Sequence, residues 1–435
     1  MWGPLRHRGE MARETQAIKR NDPPGVPARR AALRLLDAVL RRGQAIEQAL
    51  HNATQGIDRA DDRALAHAIA AETLRHLPDL DALIDSATRL ALPDDAKARA
   101  VLRIALVQVL ALGTPPHAAI STTLPLVEGG PRKLVHGVFG TLMRQQVKLP
   151  EIPTLPADVV ARWGEAWGAD TVAAAARAIA APPPLDLSLK ADDVAAPEGT
   201  TLLPRHRRLA SPGAVPDMPG FAEGGWWVQD LAASLPARLL GAGAGRVLDL
   251  CAAPGGKTLQ LAAAGWDVTA LDISDNRLAR LRDNLARTDL TATVVTADAL
   301  TWTPDAPFDA VLIDAPCSAT GIFRRHPDVL HRVTPRVVAE MAEVQAALFA
   351  RAADWVRPGG VIVYATCSLE PAEGEAQVEA LLAARPDFAI DPVNPEDLPG
   401  DVPVDPRGWV RTLPGMLADA GGLDGFFIVR LIRAA

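Results

Sequence analysis

Beyond Gly245 the chain alternates short apolar runs with helical segments, and this alternation restricts the possible folds more than any other feature. The apolar runs fall near 246–251, 268–272, 292–296, 308–313 and 360–365, each followed by helical periodicity. Such alternation predicts a parallel, doubly wound α/β sheet with helices on both faces. Ligands of these sheets bind at the carboxyl ends of the strands. The carboxyl-terminal α/β domain is expected to span 241–435.

Upstream the period changes. Leu33, Leu36 and Leu40 recur at i, i+3 and i+7 among Arg29, Arg30, Arg34, Arg41 and Arg42, which predicts a basic amphipathic helix from Ala28. Further helices are expected at 61–76, 79–90, 96–112, 117–127 and 131–146, punctuated by Pro78, Pro93, Pro115 and Pro116. An all-helical domain over 27–148 follows from this pattern. A proline-rich connector, Leu149 to Pro156, leads to a helix expected around Val159 to Ile179, which carries Trp163 and Trp167. Residues 185–230 are loop-rich with a basic cluster, Arg205 to Arg208, and with the preceding helix they form a small α+β module over 157–240. Residues 1–26 mix charges with Asn21-Asp22-Pro23-Pro24-Gly25; they are expected to be unstructured, and Met11 offers an alternative start.

With 435 residues the chain exceeds what one core supports, in line with several domains. No apolar stretch approaches the roughly 20 residues of a membrane span, and the charged amino-terminal segment lacks the apolar core of a secretory signal. A cytoplasmic location without membrane attachment is expected. Nothing in the pattern demands more than a monomer. The net charge of −7 argues against a uniformly basic nucleic-acid coat, although local patches decide phosphate affinity. Three cysteines, Cys251, Cys317 and Cys367, are too few for a disulfide framework and lack Cys-x-x-Cys spacing for zinc, so reduced thiols and no metal are expected.

The segment VLDLCAAPGGKT, Val247 to Thr258, reads as a strand, a turn of small residues, and a helix start. Gly255 and Gly256 let the backbone approach a ligand closely. The segment matches neither a phosphate-binding P-loop nor G-x-G-x-x-G. Asp272 ends the next strand, 23 residues after Asp249, where a carboxylate suits ribose hydroxyls. Asp298, past the third strand, would face an adenine edge. Any one of these could be a helix cap or turn aspartate; three at successive strand ends favour an adenosyl cofactor. Lys257 could serve cofactor, substrate or a strand end.

The fourth strand runs into Asp314-Ala315-Pro316-Cys317 and the fifth into Thr366-Cys367-Ser368, which places both thiols at the cofactor's edge of the sheet. Carbon 5 of cytosine does not attack a sulfonium methyl unaided, but thiolate addition at carbon 6 converts it to an enamine that does. A second group must then remove the C5 proton. Asp314 could hold the N3 edge. Cys251, in the tail of its strand, reads as a small core residue. Spacing does not say which of the other two thiols attacks.

The motifs DLCAAPGGKT, DAPCSATG, RRHPD (Arg324 to Asp328), ATCS and DGFF (Asp424 to Phe427) together resemble the Sun (RsmB, Fmu) family of ribosomal RNA cytosine-C5 methyltransferases. Gln229-Asp230 after Trp226-Trp227 matches that family's lead-in. The resemblance implies a Rossmann-like catalytic domain using S-adenosyl-L-methionine, with Cys367 as nucleophile and Cys317 assisting product release. It further implies Asp314 in catalysis, and cofactor contacts from Cys251, Ala252, Ala253, Pro254, Gly255, Gly256, Lys257, Asp272, Arg277, Asp298 and Asp314. VLRIALVQVLAL, PPHAAISTTLPLV and KLVHGVFGTLMRQ resemble NusB, an RNA-binding factor, and the combination implies small-subunit (16S) ribosomal RNA as substrate. His136, Leu423 and the GIFRRHPD stretch depart from the family pattern at positions that bear on fine substrate contacts. Four arginines between Gly321 and Arg336 suggest phosphate contact beside the Pro-Cys loop. The alternatives are a cytosine methyltransferase acting on transfer or large-subunit RNA, and an RNA-binding assembly factor whose enzyme domain has lapsed.

Overall fold

The computed structural model describes residues 22–180, 182–210, 213–400 and 402–435. The expectations for Met11 and for most of residues 1–26 lie outside the described residues. The chain divides into two compact units, Met1–Leu149 and Pro150–Ala435.

The first unit is helical: α1 Val26–Arg42, α2 Ile46–Ala53, α3 Ala60–Arg75, α4 Leu77–Ser86, α5 Lys97–Leu110, α6 Pro116–Thr123 and α7 Gly129–Arg144. Of the leucine stripe of α1 only Leu36 is buried, with Leu33 and Leu40 half-buried at its sides; Leu35 and Val39 complete the inward face, in one core with Ile69, Leu74, Leu102 and Leu106. α5 is buried nearly all round, and its Arg99 and Arg103 are inside with it, held by Asp81 at 3.0 and 2.7 Å. α2 was not expected. Its eight residues are too few to be stable alone, and Ile46, Ala49 and Ala53 form it by joining the common core. The arginines of α1 are largely consumed internally. Arg29 is buried and donates to Gln108 at 2.7 Å, Arg30 pairs with Asp22 at 3.0 Å, and Arg41 lies 3.2 Å from Asp37.

In the second unit the single helix expected at 159–179 is two, α8 Ala157–Trp167 and α9 Ala169–Ile179. Gly168 between them has φ +83°, a left-handed conformation that a helix cannot pass through. A small antiparallel sheet follows, ordered β2-β1-β3, with β1 Leu185–Leu189, β2 His206–Leu209 and β3 Trp226–Val228. The basic cluster divides: Arg208 is buried and grips Asp186 through two 2.7 Å bonds, with His206 buried beside it, whereas Arg205 is exposed and Arg207 half-buried.

After α10 Leu231–Arg238 come β4 Arg246–Leu250, α11 Gly256–Ala263, β5 Asp267–Asp272, α12 Asp275–Thr288, β6 Thr293–Thr296 and β7 Phe308–Asp314. They are followed by α13 Val329–Arg332, α14 Pro335–Trp355, β8 Val356–Thr366, α15 Glu375–Ala384, β9 Phe388–Ile390, β10 Val410–Thr412 and β11 Phe426–Arg433. The strand order is β10-β11-β8-β7-β4-β5-β6, with β9 also on β11. β4 to β8 are parallel, as the alternation predicts, whereas β11 lies antiparallel to β8. The sheet is therefore mixed. The chain order reverses at β4, between β5 and β7, so the carboxyl ends of β4, β5, β7 and β8 flank a crevice at the switch point. No helix among the described residues is long and apolar enough to cross a membrane.

Candidate active site

The turn leaving β4 is built by backbone geometry. Cys251 has φ +64° and Gly255 φ +110°, and a Cβ at Gly255 would lie 2.3 Å from Leu281 of α12, so the helix start can close on α12 only with glycine there. Asp272, buried at the end of β5, accepts Ala253 N–H at 3.2 Å and Ser274 N–H at 2.9 Å, which ties the turn to the next strand end. Arg277 donates to the Ala253 carbonyl at 2.5 Å and stands 3.6 Å from Asp272. Asp298, beyond β6, caps a turn by accepting Leu300 N–H at 2.9 Å, the role an isolated turn aspartate would have.

Asp249 is buried inside this frame. Thr258 donates to its Oδ2 at 2.5 Å, while its Oδ1 has no hydrogen-bond partner among the described residues. Burial, with the nearby Asp314 and Asp272 charges, pushes the carboxyl up to about 7 against the pull of Thr258 and Lys257. Burial and the same cluster of carboxylates push the Cys251 thiol up to about 12, away from the thiolate a nucleophile needs. Ile273 is 68% exposed directly after Asp272, an apolar surface that sequence reasoning passed over because an isolated isoleucine after a strand has no signature. A carboxylate for hydroxyls, an exposed apolar side chain for a flat ring, and a buried acceptor beside Gly255 and Gly256 fit an adenosyl sulfonium cofactor.

The two other cysteines meet across adjacent strand ends. β7 and β8 pair in parallel up to Asp314 opposite Ala365, and the bond from Ala315 N–H to the Ala365 carbonyl, 3.0 Å, extends the register into the loops. Cys317 and Cys367 then face each other with 3.4 Å between their sulfurs. The Cys317 thiol is pushed well up, first by its bond to the Cys367 sulfur, then by burial and by the Cys367 and Glu373 charges. Lys257, reaching over from α11, donates to Asp314 Oδ2 at 2.7 Å and sits 5.7 Å from the Phe426 ring. The structure therefore assembles Lys257, Asp314, Cys317 and Cys367 at one edge, with Asp272 and Arg277 around the neighbouring turn.

Sequence reasoning missed Glu373. It is fully buried between the two cysteine loops and bonded to both, yet in sequence it is one of several acids at a helix start, where glutamates are common.

The arginine-rich stretch is corrected. Arg324 is buried 3.3 Å from Asp424, Arg325 donates to Asp230 and Asp424 at 2.7 and 2.8 Å, and Arg332 pairs with Asp328 at 2.9 Å. Arg336 alone of the four is well exposed, beside Glu340 at 2.7 Å. Arg324 and Arg325 close the Pro-Cys loop against the DGFF segment, because a buried guanidinium requires a carboxylate partner, while Arg332 braces its own turn. α8 packs on the same loops: Trp163 touches Phe323 with ring centroids 5.3 Å apart, and Trp167 donates to the Leu369 carbonyl at 2.7 Å.

Residues 240–432 match the family described as 16S rRNA methyltransferase RsmB/F, and residues 26–140 match the NusB family. The ribosomal RNA small subunit methyltransferase B of Klebsiella pneumoniae (strain 342) is 34% identical over 93% of this chain and 98% of its own length. The protein of that name from Xylella fastidiosa (strain Temecula1) is 37% identical, covering 94% and 98%. Among solved structures, PH0851 superposes with TM-score 0.70 at 21% identity, covering 94% of this chain and 98% of that one. NSun6 from Pyrococcus horikoshii, with TM-score 0.55 and 18% identity, covers 64% and 98%; both are likenesses of fold.

Proposed function

This chain belongs to the RsmB/F family of 16S ribosomal RNA methyltransferases and is an S-adenosylmethionine-dependent rRNA methyltransferase; from that premise we propose that it methylates carbon 5 of a cytosine through a covalent Cys367 adduct. The observation that carries the reading is the pair of thiols 3.4 Å apart beside the Lys257–Asp314 pair. Methylation of an exocyclic nitrogen would use no thiol.

The residues divide the work as follows. The turn from Cys251 to Lys257, Asp272, Arg277 and Asp298 hold the cofactor, whose sulfonium supplies an electrophilic methyl group. The Cys317 thiol, pushed well up, holds its proton beside the Cys367 sulfur, which supports Cys367 as the attacking atom. Its addition to carbon 6 forms an S–C6 bond and moves an electron pair toward carbon 5. Lys257 occupies Oδ2 of Asp314, leaving Oδ1 to accept a hydrogen bond from a protonated N3 and stabilise that charge. Once Cys367 is bonded to carbon it no longer bears charge, and the largest cause holding the Cys317 proton disappears. Cys317 can then ionise and take the C5 proton as the S–C6 pair returns to Cys367.

A cytosine must leave any base stack to reach this edge, which costs least in unpaired RNA. Small-subunit rRNA early in assembly is therefore the substrate. Separate substitution of the cysteines, followed by incubation with rRNA and cofactor, tests the mechanism. Cys317→Ala is expected to accumulate a denaturant-stable RNA adduct and Cys367→Ala to form none; the opposite pattern sinks the assignment. Product mapping on small-subunit, large-subunit and transfer RNA tests the substrate, and a modified base other than 5-methylcytosine refutes the reaction.

A further inference from the structure

Glu373 takes no part in the chemistry above, yet it is the most heavily bonded carboxylate at the site. It ends the turn Pro371–Glu373 after the Thr-Cys loop and is 0% exposed. Its Oε1 accepts Ser318 N–H at 2.8 Å and the Gln345 amide at 3.1 Å. Its Oε2 accepts the hydroxyls of both Ser318 and Ser368. Those serines directly follow Cys317 and Cys367, and their oxygens are 3.3 Å apart. Gln345, from α14, also donates to the carbonyl of Pro316, the residue before Cys317, at 2.9 Å. The main-chain carbonyl of Glu373 is itself fixed, accepting Tyr364 O–H at 2.9 Å and Thr366 O–H at 3.1 Å from the end of β8.

One carboxylate thus spans two loops that are about 50 residues apart in sequence and meets each one residue from its cysteine. Burying a carboxylate is costly unless donors surround it, and a residue chosen only to fill this space would be apolar. The four donors all come from segments that bear or brace a cysteine. Donors on both oxygens also specify an acid: a glutamine turned with its oxygen to the serines sets its nitrogen against the Ser318 N–H, and turned the other way requires both serines to reverse their hydrogens.

Resting on the reading that both thiols act, we propose that Glu373 is a positioning residue that sets the spacing of Cys317 and Cys367 by binding Ser318 and Ser368 together. It works through those serines and never touches substrate or cofactor.

The test uses full-length protein, rRNA and cofactor in the Cys317→Ala background, where the rate of adduct formation reads Cys367 placement alone. Glu373→Gln is expected to slow that rate about 10²-fold, the scale of a small misplacement of a reacting group. In protein with both cysteines it should lower kcat while the cofactor dissociation constant and the KM for RNA stay within about twofold, because the cofactor turn shares no bond with Glu373. In the Ser318→Ala/Ser368→Ala double variant, adding Glu373→Gln is expected to cause no further slowing. An adduct rate equal to that of the background, or an effect of Glu373→Gln that persists in full without the serines, overturns the proposal. Should Glu373→Gln lose cofactor binding through misfolding, the serine double variant decides alone: a slowed adduct supports the proposal and an unchanged rate overturns it. Absence of any adduct in the Cys317→Ala background would refute the covalent mechanism itself, an outcome distinct from these.

Discussion

Replacing Asp249 with asparagine isolates the electrostatic cost of a carboxylate placed inside the sheet. The side chain is fully buried, with one oxygen bonded to Thr258 and the other without a partner among the described residues. Burial moves its carboxyl from the ordinary 3.8 to about 7. In the unfolded chain it ionises near pH 4, whereas in the folded chain it holds its proton to near neutrality. Between those values the folded state binds more protons, so stability falls as pH rises and the full cost is present above pH 7. The gap corresponds to about 4 kcal/mol, of which roughly 2 to 3 kcal/mol accrues between pH 5 and pH 7.5. Asparagine keeps an oxygen for Thr258 and carries no charge at either pH. Denaturant unfolding of both proteins at pH 5 and pH 7.5, without cofactor, reads the difference directly. Asp249→Asn should gain about 2 kcal/mol on the parent as pH rises over this interval. A stability difference that is the same at both pH values would refute the assignment of a raised carboxyl to Asp249.

Two further substitutions probe the frame around the site. Asp272→Ala removes the acceptor of two backbone N–H groups along with the proposed ribose ligand, so cofactor affinity measured by calorimetry should fall by at least about tenfold, with loss of about 1–3 kcal/mol of stability; undiminished affinity would exclude it from the cofactor site. Arg325→Ala leaves Asp230 and the buried Asp424 without their shared guanidinium and should cost about 2–4 kcal/mol in denaturant unfolding, discounted because the arginine is 26% exposed. A change below about 0.5 kcal/mol would mean that the network is not a strut.

The cofactor turn and the two cysteines were legible because their signals are local. An apolar strand followed by small residues and glycines, a carboxylate at a strand end, and a cysteine just past a strand are each written in a few consecutive residues. The parallel direction of β4 to β8 followed from the same alternation. What escaped was set by distant partners. Arg324 and Arg325 looked like phosphate ligands because Asp424 lies about 100 residues away in sequence, and no local pattern announces that the guanidinium will be buried. Glu373 looked like a helix-start acid for the same reason. The run FFIVRLIR is apolar enough to be a strand, but its antiparallel direction comes from pairing with β8, over 60 residues upstream. The contact between the two thiols was also not local, since Cys317 and Cys367 lie 50 residues apart in sequence.

The placement of β11 has a consequence for when the enzyme can become active. Synthesis proceeds from the amino end, so β4 to β8 and both cysteines leave the ribosome before β11 does. Until then the outer edge of β8 is an open template of unpaired amides next to Cys367, and the Gly321 carbonyl lacks the Gly425 N–H that holds it at 2.9 Å. Asp424 is likewise missing, so Arg324 lacks its carboxylate partner and Arg325 keeps only Asp230 of its two. A nascent chain that already carries every proposed catalytic group thus lacks these loop contacts and is exposed to edge pairing until its carboxyl-terminal strand docks.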